Sequence, residues 1–193
     1  MARVYLVRHG ETDFSQNGIV QGQRDIILND RGIQTAEKLG EYISDNYTIE
    51  DIVTSDLSRC VETGKIIVAK LNNKSSIHED RSIREVNLGI FEGTKMIQLD
   101  KIRNKSKDYN AYIPQNGESM NQMSKRVLDW FYSNYDTMHN LLIVTHRGPI
   151  SAILSKAENI SLYDMNELLL QRKIIVLELN AGKKFFIEEV VVV

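Results

Sequence analysis

The sequence predicts an α/β fold on a mostly parallel sheet, and three features carry that expectation. Val4-Tyr5-Leu6-Val7 and Leu141-Leu142-Ile143-Val144 are continuously apolar and rich in β-branched or aromatic residues, as strands buried on both faces require. Asp51-Ile52-Val53-Thr54 is a further short strand, and segments of helical period follow the first two strands in the chain. Strand, helix, strand, helix is the pattern of parallel crossovers. Both apolar strands stop at chemistry, one at Arg8-His9-Gly10-Glu11-Thr12 and the other at Thr145-His146-Arg147-Gly148-Pro149. Ligands of open α/β sheets bind at the carboxyl ends of strands, so these residues emerge at the rim of a site.

Taken in order, residues 11–30 are polar, include Gly18 and Gly22 and hold no sustained period. They read as a long loop of the kind that is usually functional. Asn29 caps a helix over Asp30 to Asn46, with Ile33, Ala36, Leu39 or Gly40, and Ile43 on one face. Asp56 or Ser55 caps the next helix, which reaches about Leu71 with Leu57, Val61, Gly64, Ile67 and Val68 at helical spacing. Residues 74–93 are less regular, with a short strand near Ile77 and a loop carrying Arg84, Glu85, Gly89 and Gly93. Thr94 caps a short basic helix to about Lys107, and a turn follows at Pro114-Gln115-Asn116-Gly117. From Glu118 to about Tyr135, Met120, Met123, Val127 and Trp130 or Phe131 mark an amphipathic helix whose methionines and aromatics read as core filling, not a cofactor box. A helix from about Pro149 to Lys156 holds Pro in its first turn and aims its amino-terminal dipole at the rim. The tail reads as a hairpin: Lys173 to Leu179, a turn at Asn180-Ala181-Gly182-Lys183, then Lys184 to about Val191. Val190 to Val193 is apolar enough to be an exposed edge, compatible with a homodimer.

The 193 residues fit one domain, 1–193, burying roughly 70% of the surface its unfolded chain exposes. With 24 Lys plus Arg against 26 Asp plus Glu, no general attraction to nucleic acid or anionic membrane is implied, and an anion has to be held by a local cluster. Cys60 is the only cysteine; this excludes an internal disulfide and a Cys-based metal cage, and fits a reducing compartment. The first apolar run is too short for a signal peptide or membrane span. The expectation is a cytoplasmic protein without nucleic-acid or membrane partners.

Chain logic sends Arg8, His9, Arg59 in the first turn of the second long helix, and His146 to the same rim. Guanidiniums present a planar fork to two oxygens and helix amino termini supply N–H donors, so a phosphoryl dianion suits the place. A neutral imidazole is an apt nucleophile toward phosphorus; it forms a phosphohistidine and splits one displacement into two. Nearby cations favour the neutral ring. Singly, each residue also has an ordinary reading: His9 as a satisfied loop residue, Arg59 as a solvated helix residue, Glu85 as the partner of Arg84 in a surface pair.

The string Arg8-His9-Gly10-Glu11-Thr12 resembles the signature of the histidine phosphatase, or phosphoglycerate mutase-like, superfamily. Ser55-Asp56-Leu57-Ser58-Arg59 resembles its S-x-L-x-R segment, and Glu85 to Gly93 its E-x-x-x-G-x-x-x-G segment. Gln21-Gly22, Leu28 to Gly32, and Pro114 to Ser119 are similar to further stretches, so the resemblance covers almost the whole chain. It implies a three-layer α/β/α sandwich, His9 as nucleophile, Arg8, Arg59 and His146 as electrostatic stabilisers, and Glu85 as general acid and then base for water. Glu11 competes for the acid role. Around the substrate it places Ser15, Gln21, Gly22, Arg147 and Gly148. Neither metal nor cofactor is required, and His78 and His139 lack metal-ligand spacing with His9 or His146. Two positions depart from the family. Ser15 stands where a phosphate-contacting Asn is usual, and Arg147 stands where Gly is usual. A cation at 147 reaches the phosphate, recruits a more anionic substrate or narrows the entrance; the sequence leaves these open.

Hydrolysis of a small phosphorylated metabolite is the expected reaction. Only roughly twenty residues, 94–116, separate the acid segment from the following helix, fewer than the lid of a dedicated mutase takes, and an open site admits water. Phosphoglycerate mutase is the alternative. A phospho-ligand-binding protein without turnover is disfavoured by the intact His9 and Glu85.

Overall fold

Strand β1 (Arg3–Arg8) turns Val4 and Leu6 to one face of the sheet and Tyr5 and Val7 to the other, all four buried. A strand buried on both faces has to lie between two layers. The computed structural model describes residues 3–72, 75–103, 105, 108–134, 140–158, 173–179 and 185–193. In chain order β1 is followed by α1 (Asp13–Gln16), α2 (Asp30–Asn46), β2 (Asp51–Thr54), α3 (Ser58–Lys70), β3 (Ile77–Glu79) and α4 (Met96–Arg103). Then come α5 (Met120–Asn134), β4 (Leu141–Thr145), α6 (Arg147–Glu158), β5 (Lys173–Leu179) and β6 (Phe185–Val192). The sheet order is β3-β2-β4-β1-β5-β6. The first four strands of that order are parallel, and β5 runs antiparallel to both β1 and β6.

Leu39 and Ile43 of α2 and Cys60 and Ile67 of α3 bury against the Tyr5 and Val7 face. Met123, Val127 and Phe131 of α5 and Ile150 and Ile153 of α6 bury against the Val4 and Leu6 face. The result is the three-layer α/β/α sandwich with a largely parallel sheet. Asn29 caps α2 as its type dictates, its Oδ1 accepting from Gly32 N at 2.9 Å.

Four local expectations are corrected. Neither Asp56 nor Ser55 caps α3: the helix starts at Ser58, and Asp25 accepts from Ser58 N at 2.7 Å and from Ser58 Oγ at 2.8 Å. Asp56 is taken instead by Arg84, whose Nε and Nη2 each donate to it at 2.6 Å. Helix α6 starts at Arg147, two residues before Pro149, so Arg147 and Gly148 belong to its first turn. The 11–30 loop holds the short helix α1, closed by a reciprocal Thr12–Ser15 capping box. Helix α4 begins at Met96, and the Thr94 hydroxyl donates to Phe91 O instead of capping it. The turn at 180–183, the start of the last strand at Lys184, the helix ends at Lys107 and Tyr135, and His139 lie outside the described residues.

Because Asp25 holds the first backbone N–H of α3 from another segment, Asp25→Ala should cost about 1 kcal/mol of stability. Urea denaturation checks this, with a lowered midpoint at unchanged slope expected.

Candidate active site

Arg8 lies opposite Thr145 in the β1–β4 register, and the ladder runs one residue further, with His9 N donating to Thr145 O at 2.9 Å. The chain then turns. Gly10 N donates to Thr63 Oγ1 at 3.0 Å, and that hydroxyl donates to Arg59 O at 2.7 Å, which ties the end of β1 to α3. His9 is 7% exposed, and its Nδ1 meets Gly10 O at 2.7 Å. A carbonyl only accepts, so Nδ1 carries the proton and Nε2 keeps its lone pair. Burial first, then the charges of Arg59 and Arg8, hold the His9 pKa well below the ordinary imidazole value.

Arg59 is completely buried. Its Nη1 donates to Arg24 O and its Nη2 to Gly22 O, both at 2.8 Å. Gly22 has φ +53, and an added Cβ would meet the Glu92 carboxylate, so this turn needs glycine to deliver its carbonyl. The Nε atoms of Arg59 and of Arg8 are buried without a hydrogen-bond partner. Burial and the neighbouring charge of Arg147 lower the Arg8 guanidinium to about 10, against the opposing pull of Glu85. Two buried cationic N–H donors without an acceptor among the described residues are donors that an anion would complement.

Glu85 sits opposite these cations. Its Oε1 accepts from Val86 N at 2.9 Å, and its Oε2 from Gly148 N at 3.3 Å. Gly148 N is a free N–H of the first turn of α6, where a carboxylate complements the helix dipole. A Cβ at 148 would collide with the Glu85 carboxyl group, so a side chain there would displace it. The Glu85 main chain is clamped. Its carbonyl accepts from Arg126 Nη2 at 2.8 Å and from Gln23 Nε2 at 2.9 Å. Arg126 also donates to Ser82 O at 2.8 Å and to Glu118 at 2.6 Å, and Glu118 Oε1 accepts from Asn87 N at 3.0 Å.

A cavity of about 230 Å³ is lined by Arg8, His9, Arg59 and Glu85 together with Ser15, Gln21, Gly22, Arg147 and Gly148. His146 does not line it. That ring is wholly buried, packs edge-on against His9 with centroids 5.2 Å apart, and shares a 2.9 Å hydrogen bond from Nε2 with Ser55 Oγ. Burial and Arg59 depress its pKa well below the ordinary value too. The Ser15 hydroxyl is committed to its own turn, donating to Thr12 O and accepting from Thr12 N, both at 2.9 Å. Thr12 Oγ1 donates to Gln21 Oε1 at 2.8 Å and so fixes that amide at the wall. Glu11 is drawn away toward α2, accepting from Asn29 Nδ2 at 3.2 Å. Sequence reading missed Gln23, Thr63 and Arg126. Only Glu118, in the Pro114 to Ser119 segment, gave a signal near that network. Among the described residues no group of His, Cys, Asp and Glu could hold a metal ion, and no helix is long and apolar enough to cross a membrane.

The two depressed imidazoles set a stability profile. Below about pH 6.5 the unfolded chain protonates both rings while the folded chain refuses the protons, so stability falls as pH falls. From pH 6.5 to 5.5 the two rings together should remove about 2 kcal/mol. Urea unfolding at the two pH values measures it, and His9→Ala should halve that loss.

Comparison with known proteins places the chain in a family. The pattern of the histidine phosphatase superfamily (branch 1) matches residues 4–190. Phosphoglycerate mutase-like protein 4 of Arabidopsis thaliana is 33% identical over 166 residues, covering 81% of this chain and 71% of its own. The uncharacterized phosphatase PhoE of Bacillus subtilis is 33% identical over 158 residues, covering 81% of this chain and 77% of its own. The solved structure of Bacillus stearothermophilus YhfR superposes with a TM-score of 0.84 at 27% identity, over 97% of this chain and 96% of that one. With the match spanning nearly its whole length, the chain belongs to branch 1 of the histidine phosphatase superfamily.

Proposed function

We propose that this protein is a metal-independent phosphomonoesterase that acts on a small phosphorylated metabolite through a phosphohistidine on His9. One observation carries the reading: Arg8 and Arg59, each with a buried Nε that has no acceptor among the described residues, line one cavity with a neutral imidazole whose Nδ1 is the atom engaged by the backbone. Relatives that bear phosphatase names support hydrolysis over transfer between substrates.

The arginines Arg8 and Arg59 bind the substrate phosphoryl group by charge-assisted hydrogen bonds, with Arg147 and Gln21 lining the same cavity. His9 Nε2 attacks phosphorus in line, the P–N bond forms and the ester P–O bond breaks. The Glu85 carboxyl group gives its proton to the leaving alkoxide. The resulting carboxylate then takes a proton from water as the water oxygen attacks phosphorus. The P–N bond breaks, inorganic phosphate leaves, and neutral His9 is restored. The guanidiniums stabilise charge spread over the equatorial oxygens. His146 backs His9 and keeps its ring plane, while Arg126, Glu118 and Gln23 are positioning residues for Glu85.

Phosphate release from p-nitrophenyl phosphate should persist in EDTA, and His9→Ala should abolish both release and acid-labile phosphorylation of the protein. Dependence on added divalent metal, or labelling that survives His9→Ala, would overturn the mechanism. Conversion of 3-phosphoglycerate to 2-phosphoglycerate with little free phosphate would make it a mutase.

Removing the Glu85 clamp should show in the leaving group. Arg126→Gln is expected to slow n-butyl phosphate, whose alkoxide needs the proton, by roughly tenfold to a hundredfold. For p-nitrophenyl phosphate, whose leaving group needs little help, the loss should stay within a few fold. Equal losses on both would reduce Arg126 to a structural role.

A further inference from the structure

The cavity beside His9 is lined by two unlike sets of side chains. Its cations are Arg8, Arg59 and Arg147, and the charges of Arg147 and Arg59 both act on Arg8. The same cavity is also lined by Ile19, Leu88, Met96, Leu99, Tyr109 and Met120. Among the described residues that line it there is no Lys and no further Arg. The apolar wall comes preformed. Ile19 pairs with Lys95 in an isolated bridge, Val20 N donates to Thr94 O at 2.9 Å, and Met96 N donates to Gly18 O at 2.9 Å. Leu88, Leu99 and Met120 are held in the core cluster behind that wall.

We infer that the substrate is a phosphate monoester of an apolar alcohol, aliphatic or aromatic, with its single phosphate on the arginines and its carbon skeleton against this wall. The inference rests on the phosphomonoesterase reading and narrows it. With its phosphate on the three arginines, a second anionic group, as in phosphoglycerates or sugar bisphosphates, would be taken out of water with no further cation among the described lining residues to meet it. A cavity of about 230 Å³ lies below the roughly 300–1,000 Å³ of drug-sized sites, so the skeleton is a single ring or a short chain. Met96, Leu99 and Tyr109 all come from the 94–116 stretch, which therefore sets substrate choice by apolar contact.

A series of n-alkyl phosphates tests this, because chain length changes the buried area while the leaving-group pKa stays constant. The rise in kcat/KM should be roughly fourfold per methylene from ethyl to butyl and should level off once the cavity is full. Glycerol 3-phosphate and 3-phosphoglycerate should lie at least tenfold below butyl phosphate. Met96→Lys should reverse that order in favour of 3-phosphoglycerate. Should the lysine variant fail to fold, Met96→Ala should flatten the chain-length gain. A wild-type profile flat with chain length, or a preference for the anionic esters, would overturn the inference and leave the phosphomonoesterase reading intact. No turnover of any ester, with His9 unphosphorylated, would overturn both together.

Discussion

Burying Arg59 is the constraint on which the rest of the site depends. It heads the fully buried side chains by volume, and a buried cation without partners carries a desolvation cost of several kcal/mol. Two loop carbonyls, from Gly22 and Arg24, offset part of it. Those carbonyls must arrive from 35 and 37 residues away, which explains why the 11–30 segment folds back over α3 and why Gly22 takes a positive φ. Asp25, the next residue along, then docks on the start of α3 and fixes the register between loop and helix. The remaining N–H at Nε has no protein acceptor. An anion that supplies one is therefore bound with part of the cost already met by the fold, and its binding stabilises the folded state.

In the same cavity as those cations, the oxygens of the Glu85 carboxylate are held by backbone N–H groups and its main chain by two side chains. Val86 N and Gly148 N hold its oxygens, while Arg126 and Gln23 hold its carbonyl. Backbone donors and a bidentate guanidinium move less than flexible side chains, and a proton donor has to be placed to a fraction of an ångström. The first turn of α6 contributes twice: Gly148 gives the N–H and the missing side chain that leaves room for Glu85, and Arg147 adds its cation to the cavity. Strand β4 aims this helix at the site because it pairs in register with β1 and ends level with it.

Sequence made legible whatever is decided by neighbours a few residues apart. β1 and β4 are apolar runs, Asn29 sits three residues from the N–H it caps, and the family segments mark Arg8, His9, Arg59 and Glu85 directly. What stayed hidden depends on distant partners. The cap of α3 could not be read because its acceptor, Asp25, is 33 residues upstream of Ser58, and Asp56, the local candidate, is claimed by Arg84. The start of α6 was misplaced because Pro149 invites a helix start at itself, whereas the first turn accommodates it as the third residue. The Glu85 clamp and the apolar wall each draw on segments scattered over a hundred positions, which no local period reports. His146 shows the opposite case: its motif was legible, but its burial behind His9 is a matter of packing.

In the proposed mechanism, burial also bears on which neighbouring group serves as the nucleophile. Cys60 Sγ lies 3.4 Å from His146 Nε2 in the same buried layer, and a thiolate would be the stronger nucleophile. Desolvation disfavours every charged form, so it acts on the two groups in opposite directions along the pH scale. It pushes the Cys60 thiol up to about 12 and the His9 ring well below its ordinary value. Both groups are consequently neutral near pH 7. A neutral thiol is a poor nucleophile, whereas a neutral imidazole keeps an available lone pair. The same dry pocket that makes the arginines receptive to a dianion thus silences the sulfur and leaves His9 as the group able to accept a phosphoryl group.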